Sequence, residues 1–124
     1  MVAINYLIPA SIASLVYNFV LLLSVTLNLE WSKTRAAGGQ FESFPVFLRI
    51  LYFFMAVMMA AIAFWIWNIR KQSLNERSKR ISKLACVIFS LSTIIQLISQ
   101  SADERWNAIP ALILAVTFFA IARK

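Results

Sequence analysis

The sequence predicts an all-α polytopic membrane protein, four antiparallel transmembrane helices in an up-down-up-down bundle. Three observations carry that prediction. Residues 6–27, 45–69, 81–100 and 106–122 hold four long apolar stretches with very little charge inside them. Each approaches or exceeds the ~20 residues a helix needs to cross ~30 Å of hydrocarbon. The composition is 61% apolar and 14% charged, far below the roughly one-quarter charged of a globular domain. With 124 residues there is room for one domain, and a chain of that size has no means of hiding four such helices from water.

The first helix is read over 6–27, with Pro9 in its first turn, where a missing N–H costs little. It has no basic n-region and no small-x-small site after it, and its apolar run exceeds the roughly 7–15 residues of a signal peptide. It is therefore expected to stay with the protein. The loop over 28–44 contains Gly38-Gly39, a flexible punctuation. Pro45 then opens the second helix, 45–69. Ser73-Leu74-Asn75-Glu76 has capping-box spacing, so the third helix is expected to start ahead of its apolar part, 81–100. Ser101-Ala102-Asp103-Glu104 repeats the device before the fourth helix, 106–122, with two carboxylates at the positive end of its dipole. Pro110 is expected to kink that entry. Trp31 and Trp106 mark one membrane interface; Tyr6, Trp65 and Trp67 mark the other.

The net charge is +7. Its distribution is a topology signal rather than a nucleic-acid footprint, and no nucleic-acid partner is expected. Arg70, Lys71, Arg77, Lys79, Arg80 and Lys83 lie at the second connection, and Arg123 and Lys124 reach the same side. The other side has Lys33, Arg35, Arg49 and Arg105, diluted by Glu30, Glu42, Asp103 and Glu104. The positive-inside rule then puts both termini in the cytoplasm of a multi-pass cell-membrane protein. The run from Arg70 to Lys83 is also a candidate contact for anionic lipid.

Polar residues inside a membrane span need partners and are the first place to look for function. Ser11, Ser14 and Asn18 share one face of the first helix; Ser92, Gln96 and Ser99 follow one stripe of the third, with Gln100 beside it. Two readings follow. Either the stripes face each other as interhelical glue, or Ser14, Asn18, Ser92, Gln96 and Gln100 line a polar interior or ligand cleft. Arg49, one turn past Pro45, either snorkels to the headgroups or joins that cleft as an anion ligand. Ala56, Met59, Ala60 and Ala63 form a candidate packing or oligomer face of small residues. Met55, Met58 and Met59, without His or Cys beside them, read as adaptable packing rather than Cu(I) ligands. Cys86 reads as buried and inert.

No catalytic, cofactor or metal residue is assigned. The chain has no His and a single Cys, so His-ligated haem and an intrachain thiol–disulfide pair are excluded. No carboxylate lies mid-span, where small four-helix multidrug exporters carry theirs, and no nucleophile–base constellation appears. Leu91-Ser92-Thr93, the Ser101-x-x-Glu104-Arg105 cap and Ala108-Ile109-Pro110-Ala111 resemble the C-terminal half of small bacterial four-helix membrane proteins with no assigned activity. The resemblance implies the fold and a bacterial inner-membrane setting. The expected role is a non-catalytic structural or accessory subunit that packs with itself, as a homo-oligomer, or with a larger membrane partner in the lipid bilayer. The alternative is a small oligomeric transporter, channel or ligand-binding bundle using the polar stripes of helices 1 and 3. A membrane enzyme ranks third.

Overall fold

The computed structural model describes residues 2–33, 35–36, 42–69 and 75–123, with side chains from residue 6 onward. Regular structure among them is entirely helical: α1 (Val2–Thr26), a 3₁₀ turn (Glu30–Ser32), α2 (Val46–Ile69), α3 (Glu76–Leu97), α4 (Ala102–Arg105) and α5 (Ala108–Ala122). α4 and α5 together form the fourth span. The four spans have 21, 24, 22 and 21 residues. At 1.5 Å per residue they reach about 31–36 Å, enough to cross ~30 Å of hydrocarbon. The chain is a four-helix, multi-pass membrane protein.

Four local expectations are revised. α1 begins at Val2, so Pro9 lies inside the helix rather than in its first turn. The cap of α3 is Asn75, whose Oδ1 accepts from the Ser78 amide at 2.8 Å; Ser73, like Gly38-Gly39, lies outside the described residues. Ser101 does cap α4, but the fourth span breaks at Trp106-Asn107, ahead of Pro110. The reason is the missing proline N–H. The Trp106 carbonyl cannot receive an α-helical bond from residue 110 and accepts a tighter one from Ile109 at 3.2 Å. Trp65, assigned to the interface, turns inward and stacks on Phe118.

α1 and the fourth span are the central pair. Each has 44% of its apolar window buried, against 6% for α2 and 17% for α3. α1 packs closely on α2 and on α5, and α3 packs on α5, whereas α2 and α3 make no comparable backbone approach. Their seam is bridged by side chains. Phe118 of α5 lies between Trp65 of α2, at 6.0 Å, and Phe89 of α3, at 5.7 Å. Leu15, Ile66 and Leu114 fill the core around this stack, and Cys86 packs against its edge. A smaller cluster of Val25, Ala36 and Phe44 seals the end of the bundle that carries the first loop.

The packing face proposed for α2 is corrected at one position. Ala56 is 1% exposed and Met59 and Ala63 pack on the core, but Ala60 faces outward. The inner face of α2 repeats through Ala56, Met59, Ala63 and Ile66, and Ala60 falls off that stripe.

Candidate functional site

The polar stripe of α1 is largely satisfied by its own helix. Ser11 donates to the Ile8 carbonyl, Ser14 to that of Ala10, and Asn18 Nδ2 to that of Ser14. Ser24, Ser82, Thr93 and Thr117 likewise donate to the carbonyl four residues back. A hydroxyl bonded this way enters an apolar interior without a partner on another helix. The stripes are therefore not joined by direct interhelical bonds of these groups.

They do meet around a cavity. A space of about 120 Å³ lies between the four helices at the end carrying the first loop. α1 contributes Asn18, Leu21 and Leu22; α2 contributes Tyr52, Met55 and Met59; α3 contributes Phe89, Ser92 and Gln96. Glu104, Asn107 and Ala111 close it from the fourth span, and Arg35 and Ala36 cover it from the loop. That is well above the ~10–15 Å³ of such space that a single water needs.

Asn107 organises the upper wall. As the residue before α5 it makes no side-chain cap, and it is 3% exposed. Its amide bonds outward instead: Nδ2 donates to the Arg35 carbonyl at 2.7 Å, and Oδ1 accepts from the Tyr17 hydroxyl. The break ahead of Pro110 is what turns this side chain towards α1 and the loop. Glu104 is buried just before it, in the turn capped by Ser101.

Gln96 differs from these residues. Its Oε1 is buried, and among the described residues no protein group donates to it. Such an acceptor costs about 1–3 kcal/mol when left unmade. It sits in the wall of a cavity wide enough for a donor.

Of the residues expected to form a cleft, Asn18, Ser92 and Gln96 are brought together. Ser14 is buried beside them on α1 but does not line the cavity. Gln100 is exposed, and its carbonyl accepts from Arg105. Arg49 is elsewhere. Its Nε donates to the Thr26 carbonyl at 2.7 Å, and Thr26 Oγ1 donates back to the Arg49 carbonyl at 3.2 Å. It closes the C-terminal end of α1, where a cation suits the dipole, and does not line the cavity.

The sequence reading missed Tyr17, Tyr52, Arg35, Glu104 and Asn107. One signal pointed to Asn107: an Asn three residues before a helix-entry proline, in an otherwise apolar run. Of the basic run, Arg77, Arg80 and Lys83 are exposed, and Lys79 lies 4.0 Å from Glu76. Arg70 and Lys71 lie outside the described residues.

Chemically the cavity offers carboxamides, a phenol, a hydroxyl, one carboxylate and, from the loop, the Arg35 side chain, among aromatic and thioether walls. That set binds by hydrogen bonds and shape. Among the described residues no three His, Cys, Asp or Glu side chains come together as a metal site. Compared with protein-family models, with curated proteins and with solved structures, the chain finds no match.

Proposed function

We propose that this protein is a non-catalytic membrane bundle that binds a small hydrogen-bonding molecule in the cavity between its four helices. The observation that carries the reading is Gln96 Oε1, a buried acceptor without a protein donor in the wall of a cavity of about 120 Å³. A second observation favours it over a purely structural role. Ala56, Met59 and Ala63, three of the four residues of the candidate packing or oligomer face, are used inside the protein itself, and Ala60 alone of them is exposed.

In this reading the protein resides in a bacterial cell membrane, its termini and the 70–80 connection cytoplasmic by the bias of basic residues. The cavity then lies in the outer half of the bundle, beneath the first loop. Exposed Arg77, Arg80 and Lys83 meet anionic headgroups on the inner face, at ~1 kcal/mol per basic residue near the surface.

The test is ligand-induced thermal shift of the purified protein in a maltoside detergent, across small polyols, amides and inorganic anions. A shift with a polyol or amide in wild type, lost in Gln96→Leu and kept in Arg49→Gln, is the expected result. No shift with any of them, together with a stoichiometric foreign membrane protein retained in mild detergent, would return the accessory-subunit reading.

A further inference from the structure

A second polar group is left incomplete, at the edge of the bundle and apart from the cavity. α1 ends at Thr26, and the last carbonyls of a helix have no partner within it. The amides of Asn28 and Leu29 return to those of Val25 and Ser24, and Arg49 Nε takes that of Thr26 at 2.7 Å. The Thr26 hydroxyl bonds back to the Arg49 carbonyl at 3.2 Å. This exchange fixes the Arg49 side chain near the start of α2 through its Nε alone. Among the described residues Nη1 and Nη2 have no hydrogen-bond partner, and no carboxylate pairs with the charge.

Arg49 also lines a groove of about 430 Å³, with Thr26 on one side and Val46, Ile50, Phe53 and Phe54 along α2. From Val46 to Phe54 the groove runs about 12 Å at 1.5 Å per helical residue. Val46, Ile50 and Phe54 are more than half exposed, so it faces the bilayer. We infer that this groove binds an anionic phospholipid, its phosphate on Arg49 Nη1 and Nη2 and an acyl chain along Val46, Ile50 and the two phenylalanines. With Nε occupied, the end of the guanidinium still presents a planar fork of donors that matches two phosphate oxygens. A cation with no carboxylate beside it favours a lipid of net negative charge over one whose head brings its own cation. The apolar walls suit an acyl chain and offer a free anion nothing. The exchange with Thr26 holds the side chain in place beforehand, so little rotamer freedom is lost on binding. That preorganisation separates Arg49 from the exposed Arg77, Arg80 and Lys83 at the opposite end of the bundle.

The probes are a phosphatidylglycerol, a phosphatidylcholine and a diacylglycerol with the same chains, and inorganic phosphate, each titrated into the full chain purified in maltoside. The background carries Arg77→Gln, Arg80→Gln and Lys83→Gln, exposed changes that remove the basic cluster at the other end. Native mass spectrometry and melting temperature are the readouts, and the melting temperature without lipid shows that each variant is folded. One phosphatidylglycerol per chain should be retained, about tenfold more tightly than either other lipid, as expected of charge-assisted hydrogen bonds. Arg49→Gln should abolish that preference. Val46→Trp fills the groove from an exposed position and leaves the exchange between Thr26 and Arg49 in place, so it should weaken phosphatidylglycerol comparably. If Arg49→Gln does not fold, Val46→Trp and the order of the three lipids still decide. Retention indifferent to either variant, or equal for all three lipids, would overturn the site. A shift with inorganic phosphate that acyl chains do not improve would reduce it to an anion contact and overturn the lipid. None of these outcomes bears on the cavity, which Arg49 does not line.

Discussion

Asn28 shows how much one side chain outside any motif can hold. It ends α1 with φ 57°, a left-handed conformation that Asn tolerates better than most residues. The amides of Asn28 and Leu29 return to the Val25 and Ser24 carbonyls, the two bonds of a Schellman turn. Its carboxamide then accepts from the Phe44 amide at 2.9 Å and donates to Ser43 at 3.2 Å, tying the end of α1 to the start of α2. Asn28→Ala should lose about 2–4 kcal/mol, combining ~1 kcal/mol of backbone strain with two bonds of roughly 0.5–1.5 kcal/mol each. Asn28→Gly should recover the strain part alone. Denaturation in mixed micelles separates the two; equal losses would show that the side-chain clamp is all that counts. Gln96→Leu runs the other way. It removes an unpaired acceptor, so ligand-free protein should be unchanged or stabilised by up to about 1 kcal/mol. A loss above that would mean Gln96 is already satisfied. Hydropathy brought Asn18 and Gln96 to attention because polarity inside a span stands out locally. Asn28 sits in a loop, where polarity is ordinary, and Asn107 at the break in the fourth span; the partners of both are fixed by the turns on either side.

The spans themselves were legible because insertion depends on length and apolar content, both local properties of the chain. How the helices pair was not. An up-down-up-down bundle implies that consecutive helices pack as neighbours, yet α2 and α3 are held apart by Trp65, Phe118 and Phe89, which stack at 6.0 and 5.7 Å. Side-chain volume across the seam overrides connectivity. Phe118→Ala should cost about 3–5 kcal/mol, the usual range for deleting a buried aromatic ring, and should loosen the seam specifically. Cysteines placed at Ala61 and Ala85 would report it as a changed rate of cross-linking. A Phe118→Leu variant should lose much less, since most of the volume remains. A cross-linking rate that Phe118→Ala leaves unaltered would remove the stack from its bridging role. The Asn18→Leu and Gln96→Leu pair tests the cavity in the same way. With no direct bond between them, their stability effects should add to within about 0.5 kcal/mol without ligand and couple only when a ligand is bound.

Across the bilayer, the proposed orientation rests on the basic residues rather than on any helix. Arg77, Lys79, Arg80 and Lys83 fall on the first turns of α3, beside Arg70 and Lys71 in sequence. Labels in 34–40 should be reached from outside the cell, and labels in 70–75 and at the C-terminus only from the cytoplasm. Neutralising Arg70, Lys71, Arg77, Lys79 and Arg80 together should give mixed orientation. Uniform orientation after that change would place the signal elsewhere.

The central pairing of α1 with α5 has a consequence for how the protein is made. α1 leaves the ribosome long before α5, so this core closes only once the fourth span has been made. During that interval the polar face of α1 has lipid where α5 will be. Because Ser11, Ser14 and Asn18 already donate to carbonyls of their own helix, α1 tolerates the delay without seeking a partner in the wrong place. Tyr17 finds its acceptor, Asn107, only when the fourth span arrives. Assembly is thus completed by a residue ninety positions downstream of the one that first needs it.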